Sequence, residues 1–563
     1  MPTAFYSIMI LFSLSFSTIM DHFVYKGNID GTEHIEFNLN QLKINSDGSN
    51  YKFEYEYTGY VMLEGKPELP IFSTFIEIES GHDYLLDYSI EASTLNVDKP
   101  IRPAAELTLD RTKHIQGLNR ISSLQTEYPE VPVKISKPMV MRGVEVIRLE
   151  IIPFKFNPLD NSLTSYDIIN IGISKGDSRS KLRHRELEKS PNYYNNFSDL
   201  ILNSSRTNAE YNNPVILFIC GGSLADNDDF NDLVHWKHKR GYEVIVESVS
   251  NIGNSTSSIK NYIQQAYNNW DKPPSFVCFV GDANGSYAVP TYTEYQSGYN
   301  GEGDHPYSQL DGNDLIPDVA IGRLPVRTQD DMATITSKII GYEKAYTNLQ
   351  GQNDWFEKAA LLGDPSDSGI STIITNEYIE YIMEYNGYED IQTNYGNGSY
   401  SNWMRNQISS GVSYFNYRGF YGVSGFDYND VDATNNGFKL PFITTMTCGT
   451  GSFAGSEGEY DYCLSEKFVV AGSASNPKGG VAAIATATIG THTMYNNAMN
   501  LGVYEGIFTH NVSTAGEALN YGKFHLINSY IGQTQTYTSI FCHWHSLMGD
   551  PSLHLWTDTP YSP

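Results

Sequence analysis

The sequence predicts an α/β domain on a mostly parallel β-sheet of two subdomains, preceded by an all-β segment. From residue 215 onward, short apolar strands alternate with helical stretches, a pattern typical of parallel sheets covered on both faces. Before about residue 180, strand-like runs are separated by Pro, Gly and Asn, and no convincing helix is present.

The length and charge of the chain limit its organisation and its partners. Because 563 residues exceed the size at which one hydrophobic core keeps growing, two or three domains are expected. The formal net charge of −28 disfavours broad contact with nucleic acids or anionic membranes. It favours cationic partners and bound cations, although solubility alone also explains it.

The first 20 residues form an apolar, Ser/Thr-containing run followed by Asp21 and His22. A run of this length predicts a signal peptide over residues 1–20 rather than a membrane span. No other stretch approaches 18 consecutive apolar residues, so we expect no integral membrane segment. The predicted location is secreted or extracellular.

The all-β segment is expected over residues 21–180. In residues 51–58 aromatic and polar side chains alternate, so a strand would place the four aromatic rings on one face. Further strand-like runs cover Ile71–Ile78, Val131–Ile135 and Val144–Phe156. The basic and polar stretch at 181–213 predicts an exposed linker, where proteolytic processing is easiest. An ordinary solvated linker is the alternative.

The α/β pattern predicts one domain over residues 214–556. Its first strand is Val215–Cys220, and the pattern restarts near Trp355, which suggests subdomains at 214–350 and 351–556. The later strands include Phe442–Cys448 and Val481–Ile489. In such folds the functional site forms outside the carboxyl ends of the strands.

Cys448 stands at such a strand end and is followed by Gly449-Thr-Gly-Ser-Phe453. A nucleophilic thiolate needs partial exposure, room for a substrate carbonyl, and backbone N–H groups that bind an oxyanion. A glycine-rich turn offers these conditions, so Cys448 is a candidate nucleophile and Gly449 a candidate oxyanion donor. A core cysteine is the structural alternative.

Several motifs resemble the gingipain family of cysteine peptidases, which are relatives of the caspases. They are Phe279-Val-Gly-Asp282, the stretch from Ser308 to Pro325, Cys448–Phe453, Leu547-Met-Gly-Asp-Pro-Ser-Leu553, and Gly65-Lys-Pro-Glu-Leu-Pro70 in the first segment. The resemblance implies a caspase-like catalytic domain of two subdomains, endopeptidase chemistry at Cys448, and a β-rich propeptide that restrains it.

The family places its catalytic histidine in a strand-end His-Gly pair, but this sequence has Arg418-Gly419 there. A guanidinium stays protonated and cannot take a proton from a thiol. It can hold Cys448 as a thiolate through its positive charge. Asp318, which matches the family's acidic residue, would then pair with Arg418, or simply face water at a strand start.

His492 follows the next predicted strand and is our candidate for the missing base, with helix capping as the alternative. Asp427, Asn429 and Asp432 crowd oxygen ligands into a short loop and predict a structural Ca²⁺ site, as does Asp311-Gly-Asn-Asp314. Turn formation explains both loops equally well. No cofactor is required by the predicted chemistry.

Two functions from different classes remain. The first is a secreted cysteine endopeptidase made as a zymogen, which cleaves protein or peptide substrates and is inhibited by its own propeptide. The second is a catalytically inactive homologue that uses the fold for binding or surface attachment. Arg418 supports the second function, and the retained surroundings of Cys448 support the first.

Overall fold

The computed structural model describes residues 22–560 with internal gaps. The gaps are residues 47, 56–58, 62, 64, 105–125, 183–197, 205–212, 297, 346, 348–350 and 456–461. The predicted signal peptide at 1–20 therefore lies outside the described residues, as does most of the predicted linker at 181–213.

The described residues of the first part of the chain form two larger antiparallel sheets that share one core, and a small antiparallel pair of the short strands Ile44–Ser46 and Tyr51–Phe53. Its strands are β1 (Phe23–Ile29), β2 (Thr32–Asn38), β3 (Ile44–Ser46), β4 (Tyr51–Phe53), β5 (Gly59–Tyr60), β6 (Pro70–Glu77), β7 (His82–Asn96), β8 (Val133–Ile135), β9 (Met139–Met141), β10 (Val144–Ile151), β11 (Phe154–Asn157) and β12 (Ser162–Ser178). One sheet has the order β1-β2-β12-β11 with β7 on β12, and the other has the order β5-β6-β10-β8 with β9 on β10.

Alternation along β12 shows why these residues form a sandwich. Ile169, Ile171 and Ile173 are buried, and their neighbours Asn170 and Gly172 lie on the other face. Across the ladder, Ile169 and Ile171 face buried residues of β2. Buried residues of both sheets belong to the same core cluster, as in aligned sheet packing.

Two sequence predictions in this segment need refinement. The predicted run Val144–Phe156 is two strands, β10 and β11, with Pro153 between them. Proline has no N–H to donate to a ladder, so the strand breaks there. The alternation predicted for 51–58 holds in the described part, where Phe53 and Tyr55 are buried and Lys52 is exposed.

The second part of the chain contains the strands and helices of the predicted α/β domain. Its strands are β13 (Val215–Cys220), β14 (Glu243–Ser248), β15 (Pro274–Val280), β16 (Tyr292–Gln296), β17 (Tyr299–Gly303), β18 (Ala320–Leu324), β19 (Lys358–Gly363), β20 (Asp390–Tyr395), β21 (Tyr414–Arg418), β22 (Phe442–Thr445), β23 (Gly472–Ser473), β24 (Asn476–Pro477), β25 (Ala482–Thr486) and β26 (His545–Met548).

The α-helices of this domain connect the strands and cover the sheet. They are α1 (Asp228–Lys239), α2 (Val249–Ile252), α3 (Thr256–Asn269), α4 (Gln329–Glu343), α5 (Ser371–Tyr385), α6 (Tyr400–Ser410), α7 (Tyr428–Asp432), α8 (Leu464–Val470), α9 (Thr493–Phe508) and α10 (Ala515–Trp544). Within the described ranges, no helix is long and apolar enough to span a membrane.

Ten strands form one sheet in the order β14-β13-β15-β18-β26-β25-β22-β21-β19-β20. All neighbouring pairs are parallel except β25 and β26. Strands from before residue 350 therefore occupy one half of the sheet and run opposite to the strands of the other half, β19–β22 and β25. β26 completes the first half and joins it to the second.

A buried ion cluster holds the residues after β26 against helices of the first half of the sheet. Lys237 Nζ on α1 lies 2.8 Å from Glu343 Oε1 and 2.7 Å from Asp550 Oδ2, and all three side chains are fully buried. Asp550 follows β26 within the closing motif singled out from the sequence. The cluster thereby ties the residues after β26 to helices α1 and α4.

The β-sandwich packs directly on the α/β domain. At the β9–β10 hairpin, Val140 N–H donates to Asp314 Oδ2 at 2.8 Å and Arg142 N–H donates to Asp318 Oδ1 at 3.1 Å. The Arg142 guanidinium donates to the Asp318 carbonyl and to Ser275 Oγ. Met139 and Met141 join the main core of the α/β domain. The hairpin therefore anchors the sandwich at the start of β18.

Candidate active site

Cys448 lies three residues beyond the end of β22, at the carboxyl edge of the second half of the sheet. Its carbonyl accepts the Gly422 N–H at 2.8 Å, which fixes the turn against the segment that follows β21. Gly449 has φ +74°, a conformation that favours glycine. Cys448 is only 2% exposed. The predicted strand Phe442–Cys448 is thus shorter, and the nucleophile candidate sits in the turn after it.

The sulfur of Cys448 contacts a hydroxyl group rather than an imidazole. Its Sγ lies 2.8 Å from Thr491 Oγ1, in the loop between β25 and α9. Among the described residues, this hydroxyl is the hydrogen-bond partner of the sulfur, and no histidine is. The sequence did not single out Thr491, although His492, its neighbour in the chain, was a candidate.

Arg418 is the last residue of β21 and its side chain is fully buried. Its Nε and Nη2 donate to Asn497 Oδ1 at 2.9 and 2.7 Å, and Nη1 donates to the Met446 carbonyl. In the described part of the chain, no carboxylate lies within ion-pair distance of this guanidinium. Burial lowers the pKa of Arg418 to about 10, whereas the nearby Tyr417 and Cys448 favour its charged form. The structure therefore brings Arg418 into the electrostatic environment of Cys448.

The backbone N–H of Gly449 is already bonded. It donates to the Thr488 carbonyl oxygen at 2.7 Å. Thr488 is fully buried and has φ +129°, a conformation that β-branched residues rarely adopt. The Gly449 hydrogen is not available to a substrate while Thr488 holds this position, so the oxyanion role of Gly449 stays a prediction.

His492 caps the helix that follows it. Its Nδ1 accepts the Met494 N–H at 3.2 Å at the start of α9, and its ring packs edge-on against Tyr495. β25 and β22 are parallel neighbours, so the loop carrying His492 does reach the Cys448 edge, as expected. The capping alternative describes its contact in this structure, while a catalytic role stays a prediction.

Asp318 does not pair with Arg418, which contradicts the predicted ion pair. It lies at the start of β18, and β26, β25 and β22 separate β18 from β21, a distance of about 19 Å at ordinary strand spacing. Its carboxylate accepts N–H groups from Leu310, Asp311 and Arg142. Burial, reinforced by Asp311, raises the pKa of Asp318 well above its usual value. Asp318 thus contacts the sandwich instead of Cys448.

The predicted calcium ligands have other partners. Asp427 caps α7 by accepting N–H groups from Asn429 and Asp430, and Asp432 pairs with Lys467 at 2.8 Å. In this arrangement a helix cap and an ion pair hold these two carboxylates. Within the described residues, no cluster of three or more His, Cys, Asp or Glu side chains suits a metal ion.

In the second predicted calcium loop, Asp311–Asp314, the carboxylates accept hydrogen bonds from protein groups. Asp311 accepts the hydroxyl of Tyr267 at 2.7 Å, and Asp314 accepts backbone N–H groups of Val140 and Ile316. Calcium at either loop stays a prediction, and no step of the chemistry below depends on it.

A pocket of about 240 Å³ adjoins the Cys448 turn. Gly449 contributes to its lining, and most of the remaining wall is aromatic or aliphatic: Tyr421, Val423, Phe426, Tyr428, Tyr462 and Leu464. Sequence reasoning missed this wall, because its residues come from loops and helix starts with no periodic pattern. The volume of this pocket suits one large amino-acid side chain next to the Cys448 turn.

A strand-end cysteine, a glycine turn and a sandwich packed on an α/β domain define the class of cysteine peptidases that are made with an N-terminal propeptide. Residues 209–556 match the family model Peptidase family C25, and residues 24–199 match the model of the C25 propeptide. The chain therefore belongs to peptidase family C25. This match confirms the predicted gingipain-like resemblance.

Individual relatives agree with the family. The chain is 24% identical over 452 residues to gingipain R1 of Porphyromonas gingivalis, covering 76% of this chain and 44% of that protein. It is 26% identical over 379 residues to gingipain R2 of the same organism, covering 64% of this chain and 49% of the relative. The chain thus spans about half or less of the length of these curated relatives.

Solved structures share the fold. The crystal structure of the Arg-specific cysteine proteinase gingipain R matches with a TM-score of 0.54 at 24% identity, over 62% of this chain and 80% of that one. A complex of Porphyromonas gingivalis RgpB pro- and mature domains matches with a TM-score of 0.53 at 25% identity, over 62% and 81%. These similarities confirm the predicted fold class.

Proposed function

We propose that the chain is the zymogen of a secreted cysteine endopeptidase whose nucleophile is the thiolate of Cys448. One observation carries this proposal: the buried guanidinium of Arg418 lies near Cys448 and has no carboxylate partner among the described residues. A buried charge without a counter-ion is costly. A thiolate at Cys448 supplies the missing negative charge.

The reaction then follows the chemistry of an acyl-enzyme. Cys448 loses its proton to solvent in the resting site, and the sulfur attacks the carbonyl carbon of the scissile peptide bond. The π electrons of the carbonyl move to its oxygen and return as the C–N bond breaks, and the leaving amine takes a proton. Water then cleaves the thioester, which releases a carboxylate product and restores the thiolate.

We assign the proton of the leaving amine to His492. Its Nδ1 accepts the Met494 N–H in this structure, so the ring must first take up a proton from solvent on Nδ1, which breaks this cap bond, and the resulting imidazolium then donates from Nε2 and returns to the neutral ring. Thr491, which contacts the Cys448 sulfur, immediately precedes it. This placement supports His492 as the donor, since a general acid must lie within hydrogen-bond reach of the leaving group when substrate is bound.

The oxyanion is assigned to the Gly449 N–H after the Thr488 carbonyl moves away. That N–H already binds a carbonyl oxygen at 2.7 Å, which is the distance an oxyanion donor requires. A substrate carbonyl would replace the Thr488 carbonyl on the same hydrogen. Displacement of Thr488 is therefore a step that precedes attack.

The propeptide acts in this proposal as an inhibitor of the domain on which it packs. Its described hydrogen bonds reach Asp314, Asp318, Ser275 and Asn528, and none reaches Cys448. We propose that cleavage within 181–213 releases it. The relation to the RgpB pro- and mature domain complex supports this role, and the apolar residues 1–20 support export.

Hydrolysis of a fluorogenic peptide library tests the proposal. The full chain would be compared before and after limited proteolysis within 181–213, with Cys448→Ala treated identically. We expect activity after processing that the alanine variant lacks. Equal, background-level hydrolysis by both processed proteins, with folding shown by thermal unfolding and Cys448 shown reduced, would overturn the proposal.

The second candidate is an inactive homologue that binds other molecules. It is favoured by the burial of Cys448, by the bonded Gly449 N–H and by the absence of a histidine partner for the sulfur among the described residues. A thiol-directed peptide affinity label separates the two functions. Stoichiometric capture by Cys448 after processing supports the peptidase, whereas an unlabelled, reduced Cys448 supports the binding protein.

A further inference from the structure

The hydrogen bonds of Thr491 indicate that this residue itself acts on the Cys448 sulfur. Thr491 Oγ1 lies 2.8 Å from Cys448 Sγ, and it also accepts a hydrogen bond from Asn496 Nδ2 at 3.1 Å. Asn496 lies in the first turn of α9 and is only 2% exposed. Sulfur, hydroxyl and amide therefore form a chain of three groups, in which Cys448 and Asn496 are buried and Thr491 is half-buried.

The direction of the hydrogen bonds follows from counting donors. The Asn496 amide nitrogen only donates, so Thr491 Oγ1 accepts from it and keeps its own hydrogen free to donate. A thiolate carries no hydrogen and can only accept, so with Cys448 ionised the Thr491 hydroxyl is the donor of the 2.8 Å contact to the sulfur. Such a donor favours the thiolate over the thiol.

We propose that Thr491 is a catalytic residue that stabilises the Cys448 thiolate through its hydroxyl, and that Asn496 is a positioning residue that orients this hydroxyl. The inference rests on the proposed role of Cys448 as nucleophile. Arg418 supplies a positive charge to the same sulfur from β21, and Thr491 supplies a directed hydrogen bond from the other side of the turn. The site thereby ionises its nucleophile without an imidazole partner.

The two loop contacts on the Cys448 turn have different roles in this scheme. The Thr488 carbonyl must leave Gly449 before a substrate binds. Thr491 is instead held to α9 by Asn496 and stays on the sulfur. The loop between β25 and α9 therefore combines one contact that must break with one that persists through attack.

The pH dependence of Cys448 alkylation tests the inference on the full chain. Iodoacetamide labelling of the Cys448 peptide is followed by mass spectrometry for the unmodified chain, Thr491→Val and Thr491→Ser. Valine keeps the shape of threonine and loses the hydroxyl. The midpoint, which is the pH at which the alkylation rate of Cys448 is half its maximum, should therefore rise by about one to two pH units in Thr491→Val. Serine keeps the hydroxyl and should restore the original midpoint. Asn496→Leu should raise the midpoint by a smaller amount.

A second readout needs no access to the buried sulfur. The ultraviolet absorbance of the thiolate, taken as the difference from Cys448→Ala, should show the same midpoints. Unchanged midpoints in folded Thr491→Val and Asn496→Leu would overturn the inference. If Thr491→Val does not fold, the midpoint of Asn496→Leu decides by itself. Neither readout requires turnover. Peptide hydrolysis without a midpoint shift would overturn this inference alone, and a shift without hydrolysis would overturn the proposed function alone.

Discussion

The Gly449 N–H and the Thr488 carbonyl oxygen are 2.7 Å apart, so the domain itself occupies the N–H that we propose as the oxyanion donor. Thr488 holds this position at φ +129°, where a side chain with a branched Cβ is strained. This contact lies inside the α/β domain and is separate from the contacts of the propeptide. In the proposed function, release of the propeptide and movement of Thr488 are therefore two different requirements for activity.

Strain at Thr488 predicts that Thr488→Gly is more stable than Thr488→Ala, which is the reverse of the usual order for these two residues. Glycine in place of alanine ordinarily costs about 0.5–1 kcal/mol. At residue 488 both variants lose the threonine side chain, but only alanine keeps a Cβ at positive φ. We expect Thr488→Gly to be about 1 kcal/mol more stable than Thr488→Ala in urea unfolding. Alanine being the more stable variant would show that Thr488 is not strained.

The two roles of His492 can be separated by substitution. Asparagine is a good N-cap and has no imidazole, whereas alanine lacks both functions. We expect His492→Asn to keep the thermal stability, and His492→Ala to lose about 1 kcal/mol. Both should lower the turnover of the processed enzyme by about 10²-fold or more. Full activity in His492→Asn would restrict His492 to helix capping.

Asp314 makes stability depend on pH. Burial raises the pKa of Asp314 from 3.8 to about 6, so the folded chain holds this proton more tightly than the unfolded chain. Its contribution is fully present below pH 3.8 and is lost as the pH rises through about 6. Between pH 4 and pH 7 the unfolding free energy of the native chain should fall relative to Asp314→Asn by about 3 kcal/mol. A constant difference between the two proteins over that range would exclude this effect.

Arg142 should hold the propeptide in place after cleavage. Its guanidinium donates to the Asp318 carbonyl and to Ser275 Oγ. Arg142→Ala loses both bonds, so the cleaved propeptide should dissociate about tenfold more readily in size-exclusion or titration measurements. Lys134→Ala is the matched control, because Lys134 is an exposed cation on β8. Equal dissociation in both variants would remove Arg142 from the interface.

Lys237 should be essential for folding of the catalytic domain. Lys237→Met leaves Glu343 and Asp550 buried without a cation, which should destabilise the domain by about 3–5 kcal/mol in denaturant unfolding. Lys239→Met changes an exposed lysine of the same helix and should have little effect. If the two variants were equally stable, the ion cluster would not hold the residues after β26 against helices α1 and α4.

Apolar strands made much of the fold predictable. Val215–Cys220 is a strand with the predicted bounds, and the restart near Trp355 coincides with the passage to the second half of the sheet. Helix α10 was not predicted, because it has no polar face from which a helical period can be read. Its glycines look like helix breakers, but Gly522 lets α10 approach the backbone of Met499 on α9 closely.

The site was predictable only in part. Cys448 was found because it follows an apolar strand and precedes a glycine-rich turn, and Arg418 was found because it stands where the family has its catalytic histidine. Asp318 was misassigned, because a one-dimensional motif does not reveal that three strands separate β18 from β21. Thr488 and Thr491 gave no signal, because threonines are common in loops and their contacts depend on where β25 ends. His492 was noticed for its chemistry, but its neighbour Thr491 touches the sulfur.

Strand β26 also governs when the site can form during synthesis. Arg323 on β18 pairs with Met548 on β26, so the two halves of the sheet join through residues more than two hundred positions apart in the chain. Such distant contacts form late, since loop closure must precede them. The sheet that carries the Cys448 turn and the propeptide anchor at β18 therefore stays in two separate parts until residue 548 has been made. During most of its synthesis the nascent chain therefore has no complete sheet. The sandwich residues are made first, so the sandwich can bind the α/β domain as soon as the sheet is complete.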